Sequence, residues 1–131
     1  MMAKSYLACV GFAYLLLATW CIASPATTAA AVGFELQPGS GQSEYLVVYG
    51  GLQLGLVGFF LWSVFWKPET VLVAIVSCIW IHGAIVFFRT ISLLLYRDLG
   101  GTTLILAVVE WVILLAAAGV WFRSRSSDPS A

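Results

Sequence analysis

Four long apolar runs constrain this 131-residue chain more than any other feature of its sequence. The hydrocarbon core of a bilayer is about 30 Å thick, and an α-helix needs about 20 apolar residues to cross it. The runs occupy residues 6–22, 45–66, 70–96 and 102–122. A core this small could not enclose four such segments in a water-soluble fold. The sequence therefore predicts an all-α integral membrane protein, a four-helix bundle with antiparallel up-down connections.

The composition excludes a soluble domain and gives little support to a polyanion-binding protein. Hydrophobic residues make up 62% of the chain and charged residues only 9%, whereas soluble domains carry about 25% charged residues. Six basic and six acidic residues give a formal net charge of zero. A basic surface for nucleic acid is absent from such a sequence. We expect one transmembrane domain over residues 1–131, with the lipid bilayer as its surroundings and no nucleic-acid partner.

The segments between the apolar runs have the composition of turns and loops. Residues 23–44 are rich in small residues, Gly, Pro and Ser, and residues 67–69 form a short Pro-containing turn. Residues 97–101 end in two glycines, which is typical of a chain reversal. Residues 123–131 are rich in Ser and Arg, and we predict that they form a disordered tail.

Basic residues are distributed unevenly between the two sides of the predicted bundle. With four spans, both termini and the second loop share a side, and that side holds Lys4, Lys67, Arg123 and Arg125. The opposite side holds only Arg97. Short cytoplasmic loops carry an excess of Lys and Arg. We therefore expect both termini in the cytoplasm and the loop over residues 23–44 outside.

The first apolar run permits a second interpretation. Lys4 precedes it and small residues follow it over residues 23–31, which is also the pattern of a secretory signal peptide. The run is longer than a typical signal-peptide core of about 7–15 residues, and this favours a retained span. Cleavage would leave three helices and place the mature N-terminus outside.

A fixed positive charge, Arg89, lies inside the third apolar run. An Arg in hydrocarbon costs about 2.5–3.5 kcal/mol on insertion scales, so it usually faces the bundle interior and has a partner. Glu110 in the fourth run is such a partner. Each lies about ten residues from the reversal near Gly100, about 15 Å at the α-helical rise. We predict an intramembrane ion pair, with the Gln53 amide at a similar depth in the second span satisfying leftover donors or acceptors.

The polar residues of the third run recur at alternating spacings of four and three, which places them on one helix face. The residues of this face are Cys78, His82, Ile85, Arg89, Ser92 and Tyr96. We predict that the face points inward and that a polar cluster forms there from Arg89, Glu110, Gln53, His82 and Ser92. The cluster either fixes the helix register or binds a ligand or moves a proton, and the sequence leaves both roles open.

Glycines recur in the second run as a G-x-x-x-G pair, Gly51 and Gly55, followed by Gly58. Small residues allow two helices to approach closely in lipid. We expect this glycine face to pack inside the bundle, and the alternative is a seam between two copies of the chain.

Several of these stretches resemble a bacterial family. The segments SEYLVVYGGLQLGLVGFFL and FFRTISLLLYRDLGG and the Glu of VVEW are similar to the domain-of-unknown-function 4345 family, whose members are small four-span proteins. The matching positions are Glu44, Tyr49, Gly50, Gly51, Arg89, Ser92, Gly100 and Glu110. The resemblance covers roughly residues 35–122 and implies a bacterial inner (plasma) membrane, but the family name carries no activity. Leu46 stands where the family often has an Arg, so any role of that Arg does not transfer.

No motif in the sequence predicts catalysis. C-x-x-C, H-E-x-x-H and G-x-S-x-G are all missing, so we expect no enzyme activity, no catalytic residue, no metal and no cofactor. Short loops and the lack of a soluble domain favour an accessory or scaffold protein that acts through other membrane proteins or as a homo-oligomer. The alternative is a transporter or binder of a small apolar or amphipathic molecule, with Arg89, Glu110 and Gln53 as an intramembrane polar pocket.

Overall fold

The structure, a computed structural model, describes residues 1–126. These residues form five helices and no strand. The helices are α1 (Met2–Ala23), α2 (Pro25–Ala31), α3 (Ser40–Phe65), α4 (Pro68–Leu95) and α5 (Gly101–Ser126). All but α2 are long and apolar enough to cross a membrane. The prediction of an all-α helical bundle is confirmed.

The long helices pack as two pairs. α1 packs most extensively against α3, and α4 against α5. We refer to the end that holds Met1, Lys67 and Ser126 as the terminal end. The opposite end, which holds α2 and the α4–α5 turn, is the loop end.

Two buried apolar clusters differ in which helices they join. The larger lies towards the terminal end and draws on all four long helices: Leu7, Val10, Phe60, Val71, Ala74, Ile75, Cys78, Ala117 and Val120. The smaller lies at the loop end and consists of Cys21, Ala29 and Tyr45, with Leu17, Leu36 and Tyr49 packed against it. The larger cluster therefore joins the two helix pairs, whereas the smaller one contains no residue of α4 or α5.

The outward faces of the long helices are apolar. Large side chains such as Leu16, Trp80, Leu94 and Ile105 are more than 60% exposed. A soluble monomer rarely exposes contiguous apolar surface on this scale, whereas lipid surrounds such side chains at no cost. The chain is therefore a multi-pass membrane protein, and its apolar side chains face both inward and outward.

The start of α3 differs from the prediction, which placed it at residue 45. The helix begins at Ser40, where Gly39 adopts φ 77° and donates its N–H to the Gln42 side-chain oxygen at 3.3 Å. A positive φ is accessible to Gly without steric cost. Inside the helix, Leu46–Leu52 forms a π-helical segment, whose wider turns shift the angular positions of the residues on either side.

The predicted loop over residues 23–44 contains the helix α2, so it is not wholly irregular. Pro25 occupies its first helical position, where the missing N–H costs nothing. The sequence PATTAAA continues with alanines, which have the highest helix propensity. The Thr28 hydroxyl also donates to the Ser24 carbonyl oxygen at 3.0 Å.

Both chain ends of the bundle are more helical than predicted. α1 begins at Met2 instead of residue 6, because nothing in its first turns breaks a helix. The predicted disordered tail over residues 123–131 is wrong as far as Ser126, because α5 continues to that residue. There Ser124 donates to the Val120 carbonyl, and the Arg125 guanidinium lies 5.5 Å from the Trp121 ring centroid. The rest of that prediction, residues 127–131, lies outside the described residues.

Candidate functional site

Arg89 and Glu110 form a side-on, two-bond ion pair between α4 and α5. Arg89 Nε donates to Glu110 Oε2 at 2.9 Å, and Nη2 donates to Oε1 at 2.8 Å. The side chains are only 26% and 15% exposed. Two parallel charge-assisted bonds fix direction as well as distance, so the pair locks the relative height of the two helices.

The surroundings of the pair are polar on the side that faces α3. The Tyr49 hydroxyl lies within electrostatic range of the Arg89 guanidinium. The Tyr49 ring stacks on Tyr45 with centroids 4.5 Å apart, and Phe34 meets it edge-on at 6.0 Å. The aromatic group therefore includes Tyr49, which packs against the smaller apolar cluster and also feels the charge of the guanidinium.

Tyr45 itself is buried and hydrogen-bonded at the loop end. Its hydroxyl donates to Thr28 Oγ1 at 2.9 Å and lies 3.6 Å from Cys21 Sγ. These contacts tie α3 to α2 and α1. They explain how the Ala- and Thr-rich connection is held against the bundle.

Three members of the predicted polar cluster do not join the ion pair: Gln53, Ser92 and His82. Gln53 makes no hydrogen bond to Arg89 or Glu110. Its Oε1 is buried and has no hydrogen-bond partner among residues 1–126. The prediction that this amide completes the pair is wrong, because no donor of Arg89 or of any other described residue lies within hydrogen-bonding distance of Gln53 Oε1. Ser92 is half-buried one turn beyond Arg89, and its hydroxyl makes no bond to the pair.

His82 belongs to a separate hydrogen-bonded group between α1 and α4. The residue is fully buried. Its Nε2 lies 3.0 Å from the Tyr14 hydroxyl, and its Nδ1 lies 2.9 Å from the Cys78 carbonyl oxygen. A carbonyl oxygen only accepts, so Nδ1 carries the proton of the neutral ring. Nε2 is then the acceptor, and the Tyr14 hydroxyl donates to it.

Tyr6 extends this group to α5. Its hydroxyl donates to the Ile113 carbonyl at 2.8 Å and lies 3.4 Å from Cys78 Sγ. Because the Tyr6 proton is directed to Ile113, the Cys78 thiol is the donor in the second contact. Glu110 lies within electrostatic range of Tyr14 and His82. The arrangement connects three helices through polar groups and leaves His82 fully satisfied.

The inward polar face predicted for α4 holds over most of its length. Cys78 and His82 are fully buried, and Ile85, Arg89 and Ser92 are partly buried. Tyr96 departs from the pattern and is 63% exposed, because α4 ends at Leu95 and the backbone of Tyr96 is extended.

The glycines predicted to pack inside the bundle face outward instead. Gly51, Gly55 and Gly58 are exposed, and a Cβ added to Gly55 or Gly58 would meet nothing within 4 Å. Val57 and Phe60 form the buried face on the opposite side of α3. Close approach is made by other glycines: a Cβ at Gly50 would lie 2.9 Å from Ile22 Cγ1. The prediction was wrong because the lipid outside the bundle is as apolar as its interior, so an apolar glycine face can point in either direction.

Sequence reasoning missed the tyrosines that bond the interior. Tyr6 and Tyr14 were not singled out, although they lie eight residues apart with Val10 between them on the buried face of α1. That spacing was the available signal, since residues at i, i+4 and i+8 share a helix face.

The arrangement offers structural polar contacts more readily than reactive ones. Within residues 1–126, no group of three or more His, Cys, Asp or Glu side chains could hold a metal ion. Two open clefts lie between α4 and α5 and are mostly apolar, with volumes of about 360 and 350 Å³. Gly83, Phe87 and Leu114 line both.

No protein-family model, no curated protein and no solved structure matches this chain. The resemblance to the domain-of-unknown-function 4345 family therefore stays a prediction.

Proposed function

We propose that this chain is a non-enzymatic membrane protein that acts through other proteins in the bilayer, as an accessory or scaffold subunit or as a homo-oligomer. The observation that carries the proposal is the outward glycine face of α3, formed by Gly51, Gly55 and Gly58. Such a face lets a second helix approach the α3 backbone closely, which is how helices associate in lipid.

The interior supports this proposal because its polar groups are largely engaged with one another. Arg89 is paired with Glu110, and His82 has a partner on each ring nitrogen. A structural ion pair that fixes helix height would keep the outer surface rigid for a partner. Binding surfaces that are preorganised lose less entropy on association.

A photo-crosslinker on the glycine face tests this proposal. We expect benzoylphenylalanine at Trp62, which is 43% exposed on the same side of α3 as Gly55 and Gly58, to give discrete protein adducts in native membranes. Adding Gly55→Leu should reduce those adducts several-fold, because the leucine blocks close approach. The folded yield should not change, since nothing lies within 4 Å of a Cβ at Gly55.

The matched control places the same crosslinker at Trp80 of α4, which is 76% exposed. It should give no discrete protein adduct that depends on Gly55. The mass of the adduct identifies either a second copy of the chain or a different protein. Adducts that are absent at position 62, or that survive Gly55→Leu unchanged, would contradict the proposal.

We place the protein in the inner (plasma) membrane with both termini in the cytoplasm. The orientation is supported by the distribution of basic residues, since Lys4 and Lys67 belong to the terminal end and Arg97 to the loop end. The choice of membrane rests on the resemblance to the bacterial family. A cysteine introduced at Gln37 should react with an impermeant maleimide in intact cells. A cysteine at Lys67 should react only after permeabilisation, with the parent chain measuring background from its own thiols. The reverse labelling pattern would overturn this orientation.

A further inference from the structure

Arg89 has donors that its ion pair does not use. A guanidinium carries five N–H groups, and the contacts to Glu110 use one on Nε and one on Nη2. The three others have no acceptor among residues 1–126. The side chain is 26% exposed, so these donors can be reached from outside the pair.

Gln53 has an acceptor without a donor, whereas Arg89 has donors without an acceptor. Its Oε1 is enclosed and has no donor, and Gln53 lies on the inward side of α3 with Val57 and Phe60. An unpaired buried acceptor costs about 1–3 kcal/mol. Native proteins therefore pair nearly all such groups with protein, ordered water or a bound molecule. No described residue supplies the missing donor.

The unused Arg89 donors and the unpaired Gln53 oxygen lie in the same half of the bundle. Tyr49, which lies within electrostatic range of Arg89, is four residues before Gln53 on α3. Both groups lie on the loop-end side of the larger apolar cluster, because Gln53 precedes Phe60 on α3 and Arg89 follows Cys78 on α4.

We propose that the loop end of the bundle binds the uncharged, hydroxyl-bearing head of an amphipathic molecule, which accepts from Arg89 and donates to Gln53. A hydroxyl both donates and accepts, so it can accept a hydrogen bond from Arg89 and donate one to Gln53 Oε1. An anionic head is disfavoured, because the ion pair is already neutral and a further charge would be desolvated without a counter-ion. A hydrocarbon tail fits the apolar outer faces of α4 and α5. This inference goes beyond the proposed partner role and does not depend on it.

The test uses the full chain in lipid nanodiscs and three photoreactive probes of equal chain length: a long-chain alcohol, the fatty acid and the alkane. We expect saturable labelling by the alcohol within the loop-end halves of α3, α4 or α5, and much weaker labelling by the acid and the alkane. Gln53→Leu should weaken alcohol binding about tenfold, which corresponds to the loss of one buried hydrogen bond.

Two controls separate binding from folding. Gln53→Leu should keep or raise the thermal stability of the empty protein, because it removes an unpaired buried acceptor. If the leucine variant does not fold, Gln53→Met replaces it, and we expect the same stability and the same weakened alcohol binding. Ser77→Ala removes a hydroxyl that bonds only to its own helix at Val73, and it should leave binding unchanged.

Equal labelling by alcohol and alkane would overturn the inference, and so would unchanged alcohol affinity in both Gln53 variants. Preferential labelling by the acid would overturn the uncharged head. The crosslinks from position 62 should persist in Gln53→Leu, because Gln53 lies on the other side of α3. A failure of this site is therefore distinguishable from a failure of the partner role.

Discussion

Arg89→Leu alone should destabilise the protein by about 3–5 kcal/mol, and so should Glu110→Leu alone, because each change strands the opposite charge in a low-dielectric interior. The pair is partly exposed, at 26% and 15% of the two side chains, which places the expected loss towards the lower end of that range. The measurement is reversible unfolding in mixed micelles, with the folded fraction followed against denaturing detergent.

The double change Arg89→Leu with Glu110→Leu should recover a large part of the stability, since it removes both charges and leaves two apolar side chains. A double-mutant cycle then gives the coupling between the residues. Arg97→Leu is the matched control, because Arg97 is exposed in the α4–α5 turn and should change stability little. Strictly additive losses at positions 89 and 110 would contradict the paired geometry.

The level of the ion pair could be predicted from the sequence because an α-helical hairpin has few free parameters. The rise per residue is fixed, and the short turn over residues 96–100 joins two antiparallel helices. Counting from the turn therefore places Arg89 and Glu110 at one height. The two-bond geometry itself needed coordinates, because rotamers decide which nitrogens meet the carboxylate.

The direction of the glycine face could not be predicted in the same way. In a soluble protein, an apolar face points inward because water surrounds the outside. Here lipid is as apolar as the core, so hydropathy cannot distinguish the Gly55 side of α3 from the Phe60 side. Only the packing of α1 against α3 decides which side is covered.

The π-helical segment Leu46–Leu52 is a second reason why the direction of the glycine face could not be predicted. Its wider turns rotate the positions after it relative to those before it. A regular helical wheel drawn through Tyr45, Gly51 and Phe60 is therefore offset across the segment. The same irregularity shifts Gln53 relative to Tyr49 on α3, and Gln53 Oε1 has no partner among the described residues.

The interior hydrogen bonds were the least predictable part of the site. His82 was expected in a cluster with Arg89, yet it bonds to Tyr14 and to the Cys78 carbonyl. A tyrosine in an apolar span is equally compatible with packing and with hydrogen bonding. Its partner depends on which helices meet and at what height, and a single sequence does not contain that information.

Gly50→Leu should destabilise the protein by about 1–3 kcal/mol, because a side chain at this position overpacks the contact between α3 and α1. A Cβ there would lie 2.9 Å from Ile22 Cγ1 and 3.4 Å from Cδ1. Ile is branched at Cβ and has one strongly preferred χ1 rotamer in a helix, so it cannot easily turn away. The helices must then separate, which also disturbs the nearby contact of Tyr45 with Thr28.

Gly58→Leu is the matched control, since it makes the same substitution in the same helix where a Cβ would meet nothing within 4 Å. It should leave the stability of the monomer unchanged within about 0.5 kcal/mol, the usual range for an exposed substitution. Both variants are compared by unfolding at a protein-to-detergent ratio low enough to keep the chains separate. If the two substitutions cost the same, the inner and outer sides of α3 have been assigned incorrectly, because only one of them contacts α1 at the glycine backbone.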